Sequence, residues 1–349
     1  MFTTTFITAL FLVMNHSHSI SLELSLYPKE IFVGDTFYVQ LFVKNTGEET
    51  IQYFPESFND VPQSDIQIDF LLDSKWIRWI DEYVHNFIYD VIFSSNALKP
   101  GENRLIYIKG FQFPPLEDFR SEDWEDFLKN LPDHGKNVDF RLTYIFYDRT
   151  VDPFIPIPQI ILTHLMIKPR SREEMNMIEY WYRNTPKEIF PETDRMGYPG
   201  DRKIPRNTHR RQDSGKNVIL GYSPWKFIST GNRYPSDPNA PKTWQGWKEL
   251  EESITPSTMR DEIRLTRIII QYCDTKDAKM LEELKTWFSD MNEIQRTCMA
   301  KSVLDRARDS YGTELLVPYR DLYRTIREYD ISAKSKHETE FLKKLGLLE

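Results

Sequence analysis

Apolar and polar residues alternate over the first stretches of the chain with any clear pattern. Ile20, Leu22, Leu24 and Leu26 alternate with Ser21, Glu23 and Ser25. Phe37, Val39, Leu41 and Val43 alternate with Tyr38, Gln40 and Lys44. A period of two sends successive side chains to opposite sides, so each stretch predicts a strand with one buried face. Asn45-Thr46-Gly47 then supplies turn chemistry. Further strands are expected at Ile66–Leu72, Phe87–Phe93, Arg104–Lys109, Val138–Tyr147 and Ile160–Lys168. Short strands punctuated by turns over this length predict a two-sheet antiparallel β-sandwich.

The helical period appears first inside the connection 111–137. There Trp124, Phe127, Leu128 and Leu131 share one face of a helix expected over Ser121–Leu131, with Ser121 as N-cap. Ser171-Arg172-Glu173-Glu174 matches a capping box and opens a second helix carrying Met175, Ile178 and Tyr182. Thr185-Pro186 ends it. Residues 186–245 then lose periodicity and read as a long irregular connector, with short strands conceivable only at Val218–Leu220 and Trp225–Ile228. Trp244 and Trp247 are expected to anchor it to the helices that follow. From Thr255 as N-cap and Pro256 as first helical residue the chain turns helical. Leu265, Ile268, Ile269 and Tyr272 form one apolar face. Leu281, Leu284 and Phe288 form the next, then Ala300, Val303, Leu304 and Ala307, Leu322 and Ile326, and Phe341 and Leu345. Short connections between them predict a small antiparallel helical bundle.

The segments Ile31-Phe32-Val33-Gly34-Asp35, Tyr38 to Gly47 and Leu98-Lys99-Pro100-Gly101-Glu102 resemble the openings and turns of Ig-like modules of the CARDB-like kind, common in bacterial envelope proteins. The resemblance covers residues 20–168. It implies an Ig-like sandwich that mediates adhesion, spacing or assembly, and it carries over no catalytic residue.

Residues 1–19 contain no Asp, Glu, Lys or Arg, and an apolar run from Phe6 to Met14 precedes Asn15-His16-Ser17-His18-Ser19. Small residues at Ser17 and Ser19 predict a signal peptide cleaved before Ile20. The run is too short to cross a bilayer core of ~30 Å, and no transmembrane segment follows. The expected organisation is multidomain β plus α. A signal peptide (1–19) precedes an Ig-like sandwich (20–169) with a helical insertion at 111–137. A helix and basic connector (170–247) then lead to a helical bundle (248–349). The expected location is secreted or periplasmic. Two cysteines, Cys273 and Cys298, exclude a disulfide-dense scaffold. They read as two free, partly buried thiols, with a disulfide between neighbouring helical segments as the alternative.

Aromatic residues make up 14% of the 349 residues, enough for a substantial core. The net charge of −8 argues against a nucleic-acid binder. That charge is unevenly spread, being −11 over 20–169, +5 over 170–247 and −2 over 248–349. Arg202, Lys203, Arg206, Arg210 and Arg211 give the connector its sign. It either docks on the acidic sandwich or binds an external anion, and internal docking is the first electrostatic hypothesis.

Candidate chemistry is sparse. Glu117, Asp118, Asp123 and Asp126, with Glu122 and Glu125, form the densest acidic cluster. Paired carboxylates can bind calcium or perform acid/base work on a glycoside, whereas acids in a first helical turn also complement the helix dipole. Four of them, Glu117, Asp118, Asp123 and Asp126, are the candidate binding residues. Ser223-Pro224-Trp225-Lys226 matches Ser-x-x-Lys without its companion motif. His85, His134, His164, His209 and His337 show no metal-ligand spacing. Trp76 and Trp79 flank Arg78 in a strand-like segment and read as packing, with sugar stacking the alternative. No metal or cofactor is expected. The reading is an exported, non-catalytic binding or structural protein with a protein or glycan partner in the envelope. The alternative is a glycan-directed extracytoplasmic hydrolase using carboxylates of the 111–137 insertion.

Overall fold

The computed structural model describes residues 20–53, 66–82, 96–113, 122–147, 156–177, 241, 243–310, 316–330 and 336–348. Strands β1 (Ile20–Tyr27), β3 (Thr36–Asn45) and β8 (Asn103–Gln112) pair antiparallel in the order β1-β3-β8. A five-stranded sheet holds β2 (Glu30–Phe32), β5 (Ile66–Leu72), β6 (Lys75–Glu82), β9 (Lys136–Tyr147) and β10 (Pro156–Lys168) in the order β2-β10-β9-β5-β6. A two-stranded ladder joins β4 (Ile51–Tyr53) to β7 (Asn96–Leu98). The strand expected at Phe87–Phe93 lies outside the described residues.

The five-stranded sheet is mixed rather than wholly antiparallel, because β2 runs parallel to β10. The cause is the turn at Val33-Gly34-Asp35, which carries the chain from one sheet into the other. Gly34 takes φ +90°, a backbone conformation open to glycine. The Asp35 carboxylate folds back to accept from the Phe32 amide at 2.8 Å. Three-residue strands such as β2, β4 and β7 are too short for a period of two to reveal them.

Both sheets feed one core. Phe37 of β3 contacts Phe70 of β5 at 6.0 Å and Phe140 of β9 at 5.8 Å, both edge-on. The predicted face of β9 is buried at Val138, Phe140, Leu142 and Tyr144. Helix α1 (Glu122–Lys129) enters this core through Phe127, which meets Phe113 at 6.0 Å. Its neighbour Leu128 packs against a second apolar cluster around Trp247.

The helical part begins with residues 172–177 (α2) and resumes with α3 (Trp244–Ser253), capped by Thr243. Next come α4 (Thr258–Thr275), α5 (Ala278–Asp290), α6 (Glu293–Ser310), α7 (Arg320–Arg327) and α8 (Lys336–Lys344). Trp247 is buried against Ile254, Met259 and Ile263, which fastens α3 to α4. The expected faces meet in one core, including Leu265, Ile269, Phe288, Leu304, Leu322 and Phe341. Helix α4 starts two residues later than expected, with Ser257 at the N-cap position in place of Thr255. Cys273 on α4 and Cys298 on α6 are free and buried. Burial pushes the Cys273 thiol up to about 12 and Cys298 well above its ordinary value, which suppresses thiolate chemistry. No helix among the described residues is long and apolar enough to cross a membrane.

One feature of β3 departs from the one-face pattern. Phe37, Val39, Leu41 and Val43 are buried on the side that faces the other sheet, as expected. Thr36, Tyr38 and Gln40, on the opposite side, are buried too. The helices cover that side, and Tyr38 belongs to the helical core, together with the partly buried Tyr27 of β1 and Ile108 of β8.

Candidate functional site

The acidic cluster divides between described and undescribed residues. Glu117 and Asp118 lie outside the described residues. Asp123 and Asp126 stand one turn apart on α1. Asp126 is exposed, and neighbouring Glu125 pairs with Lys129 at 3.4 Å across an exposed i,i+4 spacing. Among the described side chains of α1, Phe127 and Leu128 pack into the fold, so the helix is oriented by packing. Among the described residues no group of three or more His, Cys, Asp or Glu is placed to hold a metal ion. The basic run of the connector and Ser223 to Lys226 lie outside the described residues. Trp76 is covered by the Arg141 guanidinium at 4.3 Å from its ring centre, and Arg141 is held in turn by Asp69 at 2.9 Å. That stacking favours the packing role expected of Trp76.

Polar chemistry concentrates instead where the sheets meet α2 and α4. Arg170 stands two residues beyond the end of β10, after Pro169, and its side chain is 0% exposed. Its Nε donates to the Val33 carbonyl at 2.7 Å. One terminal nitrogen donates to Glu174 at 3.4 Å, and the other to Asp35 and to Ser257 Oγ at 3.0 Å. The guanidinium also lies 5.3 Å from the ring centre of Phe32. Asp35 is 1% exposed and reaches across to α4, accepting from the Met259 amide at 3.2 Å. The first amides of a helix have no partner within it, and a residue at the N-cap usually serves them. Here Ser257 makes no such bond, and a carboxylate from the β2–β3 turn takes its place.

Glu174 completes the join from the other side. Its amide donates to Ser171 Oγ at 3.2 Å, the first half of the predicted capping box. The second half is redirected, because its carboxylate accepts from the Thr255 amide at 2.7 Å and the Thr255 hydroxyl at 3.1 Å. Thr255 therefore acts as a donor to α2 and not as the cap of α4. Burial pushes Glu174 up, but the Thr255 amide and Arg170 outweigh it and hold the carboxyl below the usual Glu value. Thr258 closes the join, its hydroxyl accepting from the Thr36 amide at 3.0 Å and donating to the Thr36 carbonyl at 2.6 Å.

Three acids share this seam. Burial raises Asp35, against the opposing pull of Arg170 and the Phe32 and Met259 amides. Asp261, half-buried, is raised to about 6 by desolvation although Gln295 donates to it at 2.6 Å. Glu262 is raised to about 8 by burial, with Asp35 and Asp261 adding repulsion and Thr36 and Tyr38 opposing it. The assembly can therefore hold two parts of the chain together.

None of Asp35, Arg170, Glu174, Thr258, Asp261 or Glu262 was singled out as a site by sequence patterns. Gly34 and Asp35 enter the sequence reading only in the stretch that resembles Ig-like modules, Ser171 to Glu174 as a capping box, and Asp261 and Glu262 carry no sequence signal. A specific check is available at Thr258. Replacing it with Val keeps the shape and removes both bonds to Thr36, and is expected to cost about 1–3 kcal/mol in urea unfolding.

No protein-family model matches the chain, and no curated protein matches it. Among solved structures it is similar to the sporulation control protein Spo0M of Bacillus subtilis, at 14% identity over 48% of this chain and 55% of that one, with a TM-score of 0.25. A CARDB domain from Pyrococcus furiosus, determined in complex with di-metal ions, matches at 11% identity over 47% of this chain and 99% of that one, TM-score 0.22. A β-glucosidase of Erythrobacter marinus matches at 17% identity over 43% of this chain, TM-score 0.23. The chain spans about half the length of Spo0M and 15% of that β-glucosidase.

Proposed function

We propose that the chain is an exported, non-catalytic binding or structural protein of the cell envelope or extracellular space. In this reading an Ig-like, CARDB-like β-sandwich and a helical bundle present two contact surfaces to a protein or glycan partner. The observation that carries it is the seam itself. The buried Arg170, Asp35 and Glu174 direct their hydrogen bonds to backbone groups, to hydroxyls and to each other across the join. Groups used in this way fix the relative placement of two surfaces. That suits a spacer or scaffold better than a catalyst, whose ionisable groups must face a substrate.

The test compares the two functional readings directly. Purified full-length chain and the Asp123→Ala and Asp126→Ala variants are assayed on a panel of envelope glycans, for both binding and hydrolysis. Binding without turnover, unchanged in reducing-end release by either substitution, is the expected result. Hydrolysis that disappears in either variant overturns the proposal in favour of a carboxylate glycosidase. Amino-terminal sequencing of material from the producing cells is expected to begin at Ile20.

A further inference from the structure

We propose that the edge of β10 from Ile160 to His164 is a strand-addition site, which takes an extended, uncharged stretch of a partner polypeptide with apolar side chains at alternate positions. The inference refines the binding reading above and rests on it. A chain that bound glycans alone would satisfy that reading and not this one.

In an antiparallel pair, alternate residues turn their N–H and C=O toward the neighbouring strand and the others turn them away. The Met166 amide donates to the Lys29 carbonyl at 2.9 Å, on the β2 side. Strand β10 keeps one unbroken register with β9 from Pro156 to Ile167, so its even-numbered residues all turn their backbone groups away from β9. Pro156 and Pro158 stand at such positions, where a missing N–H costs the β9 ladder nothing. Strand β2 covers only Met166, Ile167 and Lys168. Ile160, Leu162 and His164 therefore present a row of backbone donors and acceptors that no strand pairs among the described residues. The ligand that matches such a row is another extended backbone.

The surrounding side chains specify the partner's chemistry. Ile160 and Leu162 are 50% and 45% exposed, and among the described residues only Val317, in the helical part, is a comparably exposed large apolar residue. Strand β1 borders the same flank, because only Pro28 and Lys29 separate it from β2. Its Leu22 and Leu24 are half-buried, whereas Val43 and Leu41, directly opposite on β3, are fully buried. Leu22 and Leu24 pack against the same core as Ile161 and Leu165. The core is thus thinly covered along this flank. An added strand turns one set of alternate side chains toward it and the other set alongside Ile160 and Leu162. From Pro156 to Leu165 the only ionisable residue is His164, so the edge lacks the charges that usually repel such an addition. Lys29 closes one end of the row and Pro158 lacks a donor at the other, which limits the contact to about seven residues.

A second copy of this chain fits the row less well. Antiparallel pairing of two β10 edges about Leu162 sets Pro158 against the other copy's Met166, whose donor and flank β2 already holds. Pairing about Ile160 sets Leu162 against Pro158, which has no donor. A free extended segment carries neither obstacle.

Hydrogen exchange on the full-length chain, read amide by amide, tests the site. The probes are three blocked heptapeptides that alternate Val with Thr, Ile with Ser and Leu with Gln. In the free chain the Leu162 and His164 amides are expected to exchange at least roughly tenfold faster than those of Ile161, Thr163 and Leu165. At saturating peptide they are expected to slow roughly tenfold with at least one probe, while Phe140 stays unchanged. The same peptides with proline at the centre are expected to give no protection, and so is the Leu162→Pro chain with the original peptides. The proline-centred peptides need no variant, so the test holds even if Leu162→Pro does not fold. Leu162 and His164 amides that already exchange slowly in the free chain show a covered edge and overturn the proposal, as does exchange that no peptide alters. Protection that grows with chain concentration alone assigns the edge to a second copy and also overturns it. The glycan panel above succeeds or fails separately from all of these results.

Discussion

Replacing Arg170 with Met is expected to destabilise the folded chain by about 3–5 kcal/mol, read as a shift in the urea midpoint. Methionine matches the length and apolar stem of the side chain, so little volume is lost. What remains is Asp35, 1% exposed, without its guanidinium, and a Val33 carbonyl without its donor. An unpaired carboxylate that is buried must either ionise at high cost or take up a proton, and both routes weaken its bond to the Met259 amide. The double variant Arg170→Met, Asp35→Asn removes the stranded charge. It is expected to recover a substantial part of the loss, because an amide oxygen can still accept from Met259. A double-mutant cycle in which the two losses simply add would show that Asp35 and Arg170 do not act as a pair.

The second large effect is the dependence of stability on pH. Glu262 has an ordinary value of 4.5 and is raised to about 8 in the folded chain. Between those values the folded state holds a proton that the unfolded state has released. Stability from this group is therefore complete below pH 4.5 and is lost as pH rises through 8. Asp261, raised to about 6, acts in the same direction between about pH 4 and pH 6. At about 1.4 kcal/mol per unit, the fall expected from pH 5 to pH 9 is about 2–5 kcal/mol. Glu174 has the opposite sign, because its folded value is lowered. Its contribution is present above pH 4.5 and is lost as pH falls below it. The wild-type chain should thus be most stable in mildly acidic solution and weaken on both sides. Urea unfolding at half-unit intervals from pH 4 to pH 9 measures the curve, and Glu262→Gln is expected to flatten its alkaline limb. A wild-type curve that rose steadily toward pH 9 would contradict the seam's electrostatics.

Local periodicity determined which residues form strands and helices. Phe37, Val39, Leu41 and Val43 at spacing two, and Leu265, Ile268, Ile269 and Tyr272 at helical spacing, are buried where the pattern put them. These faces were legible because burying apolar surface is the dominant favourable term, and a strand or helix displays one face at a fixed period. Strands of three residues were not legible, since they carry too few positions to show a period. The acidic cluster is legible in the sequence by its density, and of its described members Asp126 is exposed and Glu125 pairs with Lys129 in solvent.

What the sequence by itself determined is the order of parts, β then α, and the apolar face of each element. Only the tertiary structure decided what covers the second face of β3. Nothing local announces that Tyr38 and Gln40 will be buried, because their burial depends on a helix more than two hundred residues away. The same holds for Asp35, which becomes the cap of α4 by reaching 224 positions along the chain. Whether a carboxylate keeps its proton depends on which charges are brought beside it, and the fold sets Asp35 against Arg170 while bringing Asp261 and Glu262 near Asp35.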